Sequence, residues 1–305
     1  MQQLLDQIVK ECAPLSEAGH VADYIPELAK ANPKSFGAAV TDKDGKQWAS
    51  GDADETFCLE SIAKVVSLAL ALQLRGFDDV FDRVGRSAIA DPFNSIMRLE
   101  MDSPHRPHNP MINSGAIVVV SLLPQEGVEA KIGAVLELCA VLSGQKIAEV
   151  VERVYLSEKF TSDRNRALAY FLRSVGSLEG DVEDTLDVYF RMCSIGTTAK
   201  QLSVLGATLA CNGRNPLTGQ DVISPTVART VRALMMTCGM YDGSGEFAVD
   251  VGIPAKSGVG GGIVGTVPGR AGLAVYGPSL DERGNSVAGV AAMKRLSLEG
   301  GFRVI

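Results

Sequence analysis

The chain has little histidine, no clustered cysteine and no basic tract, and each shortage removes a class of function. His20, His105 and His108 are the only three histidines in 305 residues, and none opens a carboxylate-rich metal pattern. A Ser-His-Asp triad and a histidine-based metal centre are therefore poorly supported. His105-Arg-Pro-His108 lies in a proline-rich loop, where the prolines oppose the helix that would align both imidazoles on one ion. A structural or solvent-facing role is expected for both. The six cysteines are scattered without a CxxC pair, so neither a disulfide framework nor a paired-thiol site is expected, and reduced core thiols in the cytoplasm are the default reading. Cys58 sits between Phe57 and Leu59, and apolar surroundings raise a thiol pKa, which disfavours it as a nucleophile. A net charge of −7 with no Lys/Arg cluster argues against nucleic acid and anionic membrane surfaces as partners. The longest apolar run, near Ala116 to Leu123, falls far short of the ~18 residues that span a bilayer, so no membrane segment is expected. Met1 to Pro14 lacks the basic and apolar regions of a signal peptide, so no export is expected.

What the chain does have is 46% apolar residues, enough to bury a large core in one large or two closely joined domains. Ala18 to Ala31 reads as an amphipathic helix carrying Tyr24, interrupted by Pro26. Ser35 to Val40 and Gln47 to Gly51 flank a glycine-containing turn and predict a hairpin. Helical periodicity follows at Ser61 to Arg75, Asn113 to Leu123, Lys131 to Leu142, Ile147 to Tyr155, Asp163 to Val175, Val182 to Met192, Thr198 to Asn212 and Thr226 to Thr237. From Gly252 the chain turns strand-like again, at Lys256 to Pro268 and Ala271 to Tyr276, before a turn and a closing segment, Ser286 to Glu299. A sheet built from both ends, approximately 1–60 and 245–305, with a helical region at approximately 61–244, follows from this order. Ser61 falls at the seam, where clefts form.

Ser61-Ile-Ala-Lys64 places a hydroxyl and an amine on one helix face, where a neutral lysine takes the serine proton. The same spacing recurs at Ser143-Gly-Gln-Lys146, but that copy reads as a solvated turn between helices. Ser61 instead opens a stretch apolar on nearly every face, and burial lowers a lysine pKa. The plain alternative is that Ser61 caps a helix and Lys64 is a surface residue of its first turn. A cation there opposes the helix dipole by ~0.3–1 kcal/mol.

Lys256-Ser-Gly-Val-Gly-Gly-Gly262 admits three readings. A phosphate loop needs its glycines before the lysine, and here they follow it. Gly260-x-Gly262-x-x-Gly265 fits a dinucleotide fingerprint, but Pro268 and Gly269 prevent the helix that would hold a pyrophosphate. The third reading is a strand whose small residues admit a substrate close to the backbone, with Lys256 supplying positive charge. Serine acyl enzymes with Ser-x-x-Lys carry such a Lys-Ser/Thr-Gly strand opposite the nucleophile. A glycine-rich bulged strand without function is the alternative.

With these two motifs, Ala22-Asp-Tyr-Ile-Pro26, Gly51-Asp52, Phe57 to Lys64, His108 to Ile117, Ser157-Glu158, Arg164-Asn165, Tyr189, Thr237 to Tyr241 and Pro254 to Ile263 make the chain resemble the serine-dependent glutaminases, in their short bacterial form. The resemblance runs from about residue 20 to 300. It implies an α/β fold of the serine β-lactamase kind, a mainly antiparallel sheet flanked by helices plus a helical domain. It also implies hydrolysis of L-glutamine to L-glutamate and ammonia, with no cofactor and no metal. Carried over by position, Ser61 is the nucleophile, Lys64 its base and Tyr241 the proton carrier to ammonia. The amides of Ser61 and Val259 form the oxyanion hole, and Tyr24, Asn113, Glu158, Asn165 and Tyr189 contact the substrate. A homo-oligomer, dimer or tetramer, is expected from the family.

Taken singly, these residues have ordinary readings: Glu158 a solvated helix end, Asn165 a helix-start residue, Tyr189 a core aromatic beside Phe190. Glu60 departs from the family, standing where many relatives have glutamine; an anion there would raise the Lys64 pKa or meet the substrate ammonium. A β-lactamase or D,D-peptidase shares both lysine motifs, and an amino-acid or penicillin sensor would share the site without turnover.

Overall fold

The computed structural model describes residues 1–89 and 95–305. The chain opens with helix α1 (Gln2–Cys12), whose Leu5, Ile8, Val9 and Cys12 fall on one buried face. The hairpin β1 (Gly37–Asp42) and β2 (Gln47–Gly51) follows, then the short β3 (Phe57–Cys58). Next come α2 (Ala63–Leu74), α3 (Phe77–Arg83), α4 (Met97–Met101), α5 (Asn113–Ser121), α6 (Val128–Ser143), α7 (Glu152–Thr161), α8 (Asp163–Ser174) and α9 (Val182–Cys193). After β4 (Gly196–Thr197) come α10 (Ala199–Ala210), α11 (Pro225–Cys238) and α12 (Ser244–Asp250). The strands β5 (Ala255–Ser257), β6 (Gly262–Val267) and β7 (Ala271–Tyr276) and helix α13 (Val287–Glu299) complete the chain.

The main sheet runs β2-β1-β7-β6-β5, antiparallel throughout, so strands from both ends of the sequence share it. That is the sheet-and-helix class the sequence predicts. Helices α1 and α13 cover one face, closing a core of Leu5, Ile8, Phe36, Val40, Ile263, Val275 and Met293. Helix α10 covers the other face at very short range: a Cβ on Gly272 of β7 would lie 2.0 Å from the Ala207 nitrogen, so only glycine fits there. The helices beyond enclose a larger core around α2, in which Ala63 to Leu72 are buried without a break. Among the described residues no helix is long and apolar enough to cross a membrane.

Three sequence expectations need correction, and the closing segment, left without a type, gains one. Ala18 to Ala31 is not an α-helix: one 3₁₀ turn, Ala13–Ala18, ends where it begins, a second, Leu28–Lys30, lies near its end, and His20 bridges Leu280. Pro26 cannot donate the backbone bond a helix needs. Residues 147–151 lie outside the helix expected from Ile147, because Val150 bridges Ile195 and α7 starts only at Glu152. Lys256 to Pro268 is not one strand but a hairpin, with Gly258 N–H donating to the Gly262 carbonyl and Gly261 at φ 96°. Ser286 to Glu299 is a helix, capped by the Ser286 hydroxyl on the Gly289 N–H at 3.1 Å.

Candidate active site

The backbone bends sharply just before Ser61. Glu60 holds φ 49°, a left-handed conformation that costs a non-glycine residue about 1–3 kcal/mol. A 3₁₀ turn, Glu60–Ile62, leads directly into α2, so Ser61 stands at the positive end of a buried helix. Lys64, one turn on, is fully buried, which overturns its reading as a surface residue. Its Nζ lies 2.7 Å from Ser61 Oγ and 2.8 Å from Asn113 Oδ1. Burial lowers its pKa from the usual lysine range to about 8, with Cys193, Glu158 and Glu60 pulling weakly the other way. The amine is thus neutral in a sizeable fraction of molecules near neutrality, as a base requires.

The β5–β6 hairpin closes over this corner. Added Cβ atoms on Gly258 and Gly260 would sit 2.5 Å from the carbonyls of Leu59 and Cys58, so both glycines permit the approach that sets Val259 beside Ser61. Tyr241 is also left-handed, at φ 57°, and its hydroxyl interacts with Ser61 Oγ and with the Ser257 carbonyl, 3.4 Å away. Lys256 departs from expectation. It is fully buried, donates to the carbonyls of Gly239 (2.9 Å) and Ser257 (2.7 Å), and lies 4.1 Å from the Tyr241 ring centre. Burial, with Lys64 nearby, holds its pKa well below the usual lysine range, and its contacts are with these carbonyls and the Tyr241 ring rather than with the pocket.

Ser61, Tyr24, Asn113, Glu158, Asn165, Tyr189 and Val259 line one pocket of about 100 Å³. Four helices supply four of the seven: Asn113 begins α5, Glu158 lies on α7, Asn165 on α8 and Tyr189 on α9. Asn113 Nδ2 donates to Asn165 Oδ1 at 2.9 Å, joining that wall to Lys64. Glu158 is 4% exposed, not a solvated helix end, and Asn165 is buried too. Tyr189 does pack edge-on against Phe190 while facing the pocket, and Tyr24, 54% exposed, stands at its mouth. A larger cavity of about 600 Å³ lies across Val259 but contains neither Ser61 nor its partners.

Glu60 and Glu158 share the pocket with Cys193, and their ligand atoms lie within 4.8 Å of one another. Burial raises the Glu60 carboxyl to about 8 and pushes Glu158 well up, further opposed by Glu60. At neutral pH Glu60 is mostly the uncharged acid, so the anion expected beside Lys64 is largely absent. Cys193 escaped the sequence reading, although it stands four residues, one helical turn, beyond Tyr189.

The discarded motifs also resolve. Ser143 is not solvated: it is buried and donates to the Cys139 carbonyl at 2.7 Å, while Lys146 is exposed and away from it. Cys58 is buried, donates to the Ser194 carbonyl, and has a raised pKa. His105 bonds the Leu99 carbonyl and His108 pairs with Asp102, both at 2.8 Å, so the two rings serve different partners.

The sequence model of the Glutaminase family matches residues 19–304. The chain is 48% identical to "Glutaminase 2" of Clostridium perfringens and 47% to a glutaminase of Clostridium tetani, each over 98% of both chains. It superposes on a Bacillus glutaminase crystallised in 4.3 M NaCl with a TM-score of 0.92 at 38% identity, covering 99% of this chain and 98% of that one. A Bacillus subtilis glutaminase, solved as a covalent complex with 5-oxo-L-norleucine formed from 6-diazo-5-oxo-L-norleucine, matches with a TM-score of 0.90 at 36% identity over 100% and 99% of the chains. With a family match spanning nearly the whole sequence and close relatives at full length, this chain belongs to the glutaminase family of amidohydrolases.

Proposed function

We propose that the chain hydrolyses the side-chain amide of L-glutamine through a glutamyl ester on Ser61. The observation that carries this is the contact between Lys64 Nζ and Ser61 Oγ at 2.7 Å, made by a buried amine with a pKa near 8. Neutral Lys64 takes the hydroxyl proton as Ser61 Oγ attacks the amide carbon. The N–H groups of Ser61 and Val259, with the start of α2 behind them, stabilise the oxyanion; one such donor is worth about 3 kcal/mol of barrier. Tyr241 passes a proton to the departing nitrogen and regains one from Lys64, so ammonia leaves and the ester remains. Water then gives up a proton to the same pair as its oxygen attacks the ester carbon, and that proton passes to Ser61 Oγ as the ester C–O bond breaks, releasing L-glutamate and restoring the serine hydroxyl.

Glu158, ionised once a cation faces it, receives the α-ammonium. Asn113, Asn165 and Tyr189 offer neutral donors to the α-carboxylate, and Tyr24 covers the mouth. Their common lining of one pocket with Ser61 supports this division. The six free thiols support a reducing cytoplasm, and the homo-oligomer is carried over from the family, with light scattering as its test. Purified protein is expected to release ammonia from L-glutamine, and to leave a β-lactam intact. No ammonia, with or without added phosphate, would sink the proposal.

A further inference from the structure

Three groups of the kinds that bind soft metal ions converge in the pocket, and the proposed mechanism uses only one of them. Glu60, Glu158 and Cys193 are each at most 4% exposed, and their oxygen and sulfur ligand atoms lie within 4.8 Å of one another. One oxygen of each carboxyl, Glu60 Oε1 and Glu158 Oε2, is buried without a hydrogen-bond partner. A buried carboxyl oxygen without a hydrogen-bond partner is rare in a folded protein, and two such oxygens, on residues lining one pocket, offer a pair of acceptors to a cation. The groups come from three separate elements, the turn before α2, α7 and α9, so the fold brings them together rather than local sequence.

We propose that this trio is a binding site for a soft divalent cation of the zinc class, which competes with the substrate. Zinc–oxygen and zinc–sulfur bonds of about 2.0–2.3 Å put tetrahedral ligand atoms about 3.4–3.7 Å apart, so closure by roughly 1 Å completes a three-ligand site. The fourth position opens towards Ser61 and the pocket, where water or a substrate oxygen fits. A thiol among the ligands favours zinc over magnesium or calcium, which prefer oxygen alone. Burial, reinforced at Glu158 and Cys193 by the neighbouring carboxyls, disfavours the charged forms of these groups, and a dication offsets that cost while displacing the protons they carry. Lys64 faces the same carboxyls and opposes the ion; the hydroxyls of Tyr24 and Tyr189 are neutral. The Cys193 thiol would exchange its contact with Tyr189 for the metal. The metal site stands on these three side chains alone, whereas the competition rests on Glu158 receiving the α-ammonium. A family member with glutamine in place of Glu60 lacks one ligand, so the site is a property of this chain.

The test is cobalt(II) titration of metal-free protein, read by the sulfur-to-cobalt charge-transfer band, with ammonia release from L-glutamine assayed on the same sample. One equivalent is expected to bind. The band should vanish in Cys193→Ser, and affinity should fall roughly tenfold or more in the isosteric Glu60→Gln, which keeps the fold's shape. L-Glutamate should bleach the band, and zinc should raise KM for L-glutamine without lowering kcat. A band that survives Cys193→Ser belongs to another of the six cysteines and overturns the site, as does binding indifferent to Glu60→Gln. Turnover without cobalt binding overturns the site and leaves the glutaminase reading intact. Cobalt binding that L-glutamate does not disturb overturns the competition.

Discussion

Lys64 must be uncharged to accept a proton, and its burial sets where that happens. With its pKa near 8, kcat/KM measured with a chelator present is expected to rise as pH increases through about 8 and to fall below it. The sign for Glu60 follows from the same electrostatics. Glu60 raises the Lys64 pKa when ionised, so Glu60→Gln removes that effect and should move the rising limb to lower pH, by on the order of one unit or less. A limb that stays in place, or moves up, would show that Glu60 does not act on Lys64. A glutamate at this position therefore changes the chemistry less than its formal charge suggests, because burial holds the acid neutral.

At the scale of elements, periodicity served the helices and failed where turns or tertiary contacts decide. Ser61 to Arg75 and Asn113 to Leu123 were legible because their residues are apolar on every face, and both helices are buried. The stretch around Tyr24 was misread because Ala22 and Leu28 pack with Val259 and Leu280 and Tyr24 and Ile25 line the pocket, instead of forming one helix face. The contact between Ser61 and Lys64 was legible from spacing, while the pocket residues on α5, α7, α8 and α9 were legible only through the family resemblance. No local pattern brings Asn113 to Asn165. Where α10 meets β7, steric contact decides which residues are tolerated. Gly272→Ala is expected to destabilise by about 3 kcal/mol or to prevent folding, since its Cβ would strike backbone atoms of α10. Gly133→Ala, in α6 with open space at its Cβ, should instead stabilise by about 0.5–1 kcal/mol. Denaturant titration of both variants checks the contrast; equal effects would mean that α10 and β7 do not meet so closely.

Across the whole molecule, two cores divide the labour. The smaller one joins α1 and α13 to the outer face of the sheet, and the larger one holds the helices that carry the pocket. Leu5, fully buried in the smaller core, should cost about 3 kcal/mol of stability when cut to alanine. At temperatures where that variant remains folded, kcat should be unchanged, because no residue lining the pocket belongs to the smaller core. A proportionate loss of kcat would show that the two cores are not mechanically separate. The central claim is that Ser61 carries the glutamyl group, and intact-mass spectrometry of protein quenched during glutamine turnover tests it most directly. The expected result is a mass increase of one glutamyl group on the peptide containing Ser61. In Ser61→Ala the adduct should be absent and kcat lower by roughly 10⁴-fold or more, in a protein that unfolds at an unchanged denaturant concentration. Undiminished ammonia release from Ser61→Ala, or a glutamyl adduct on any other residue, would contradict it.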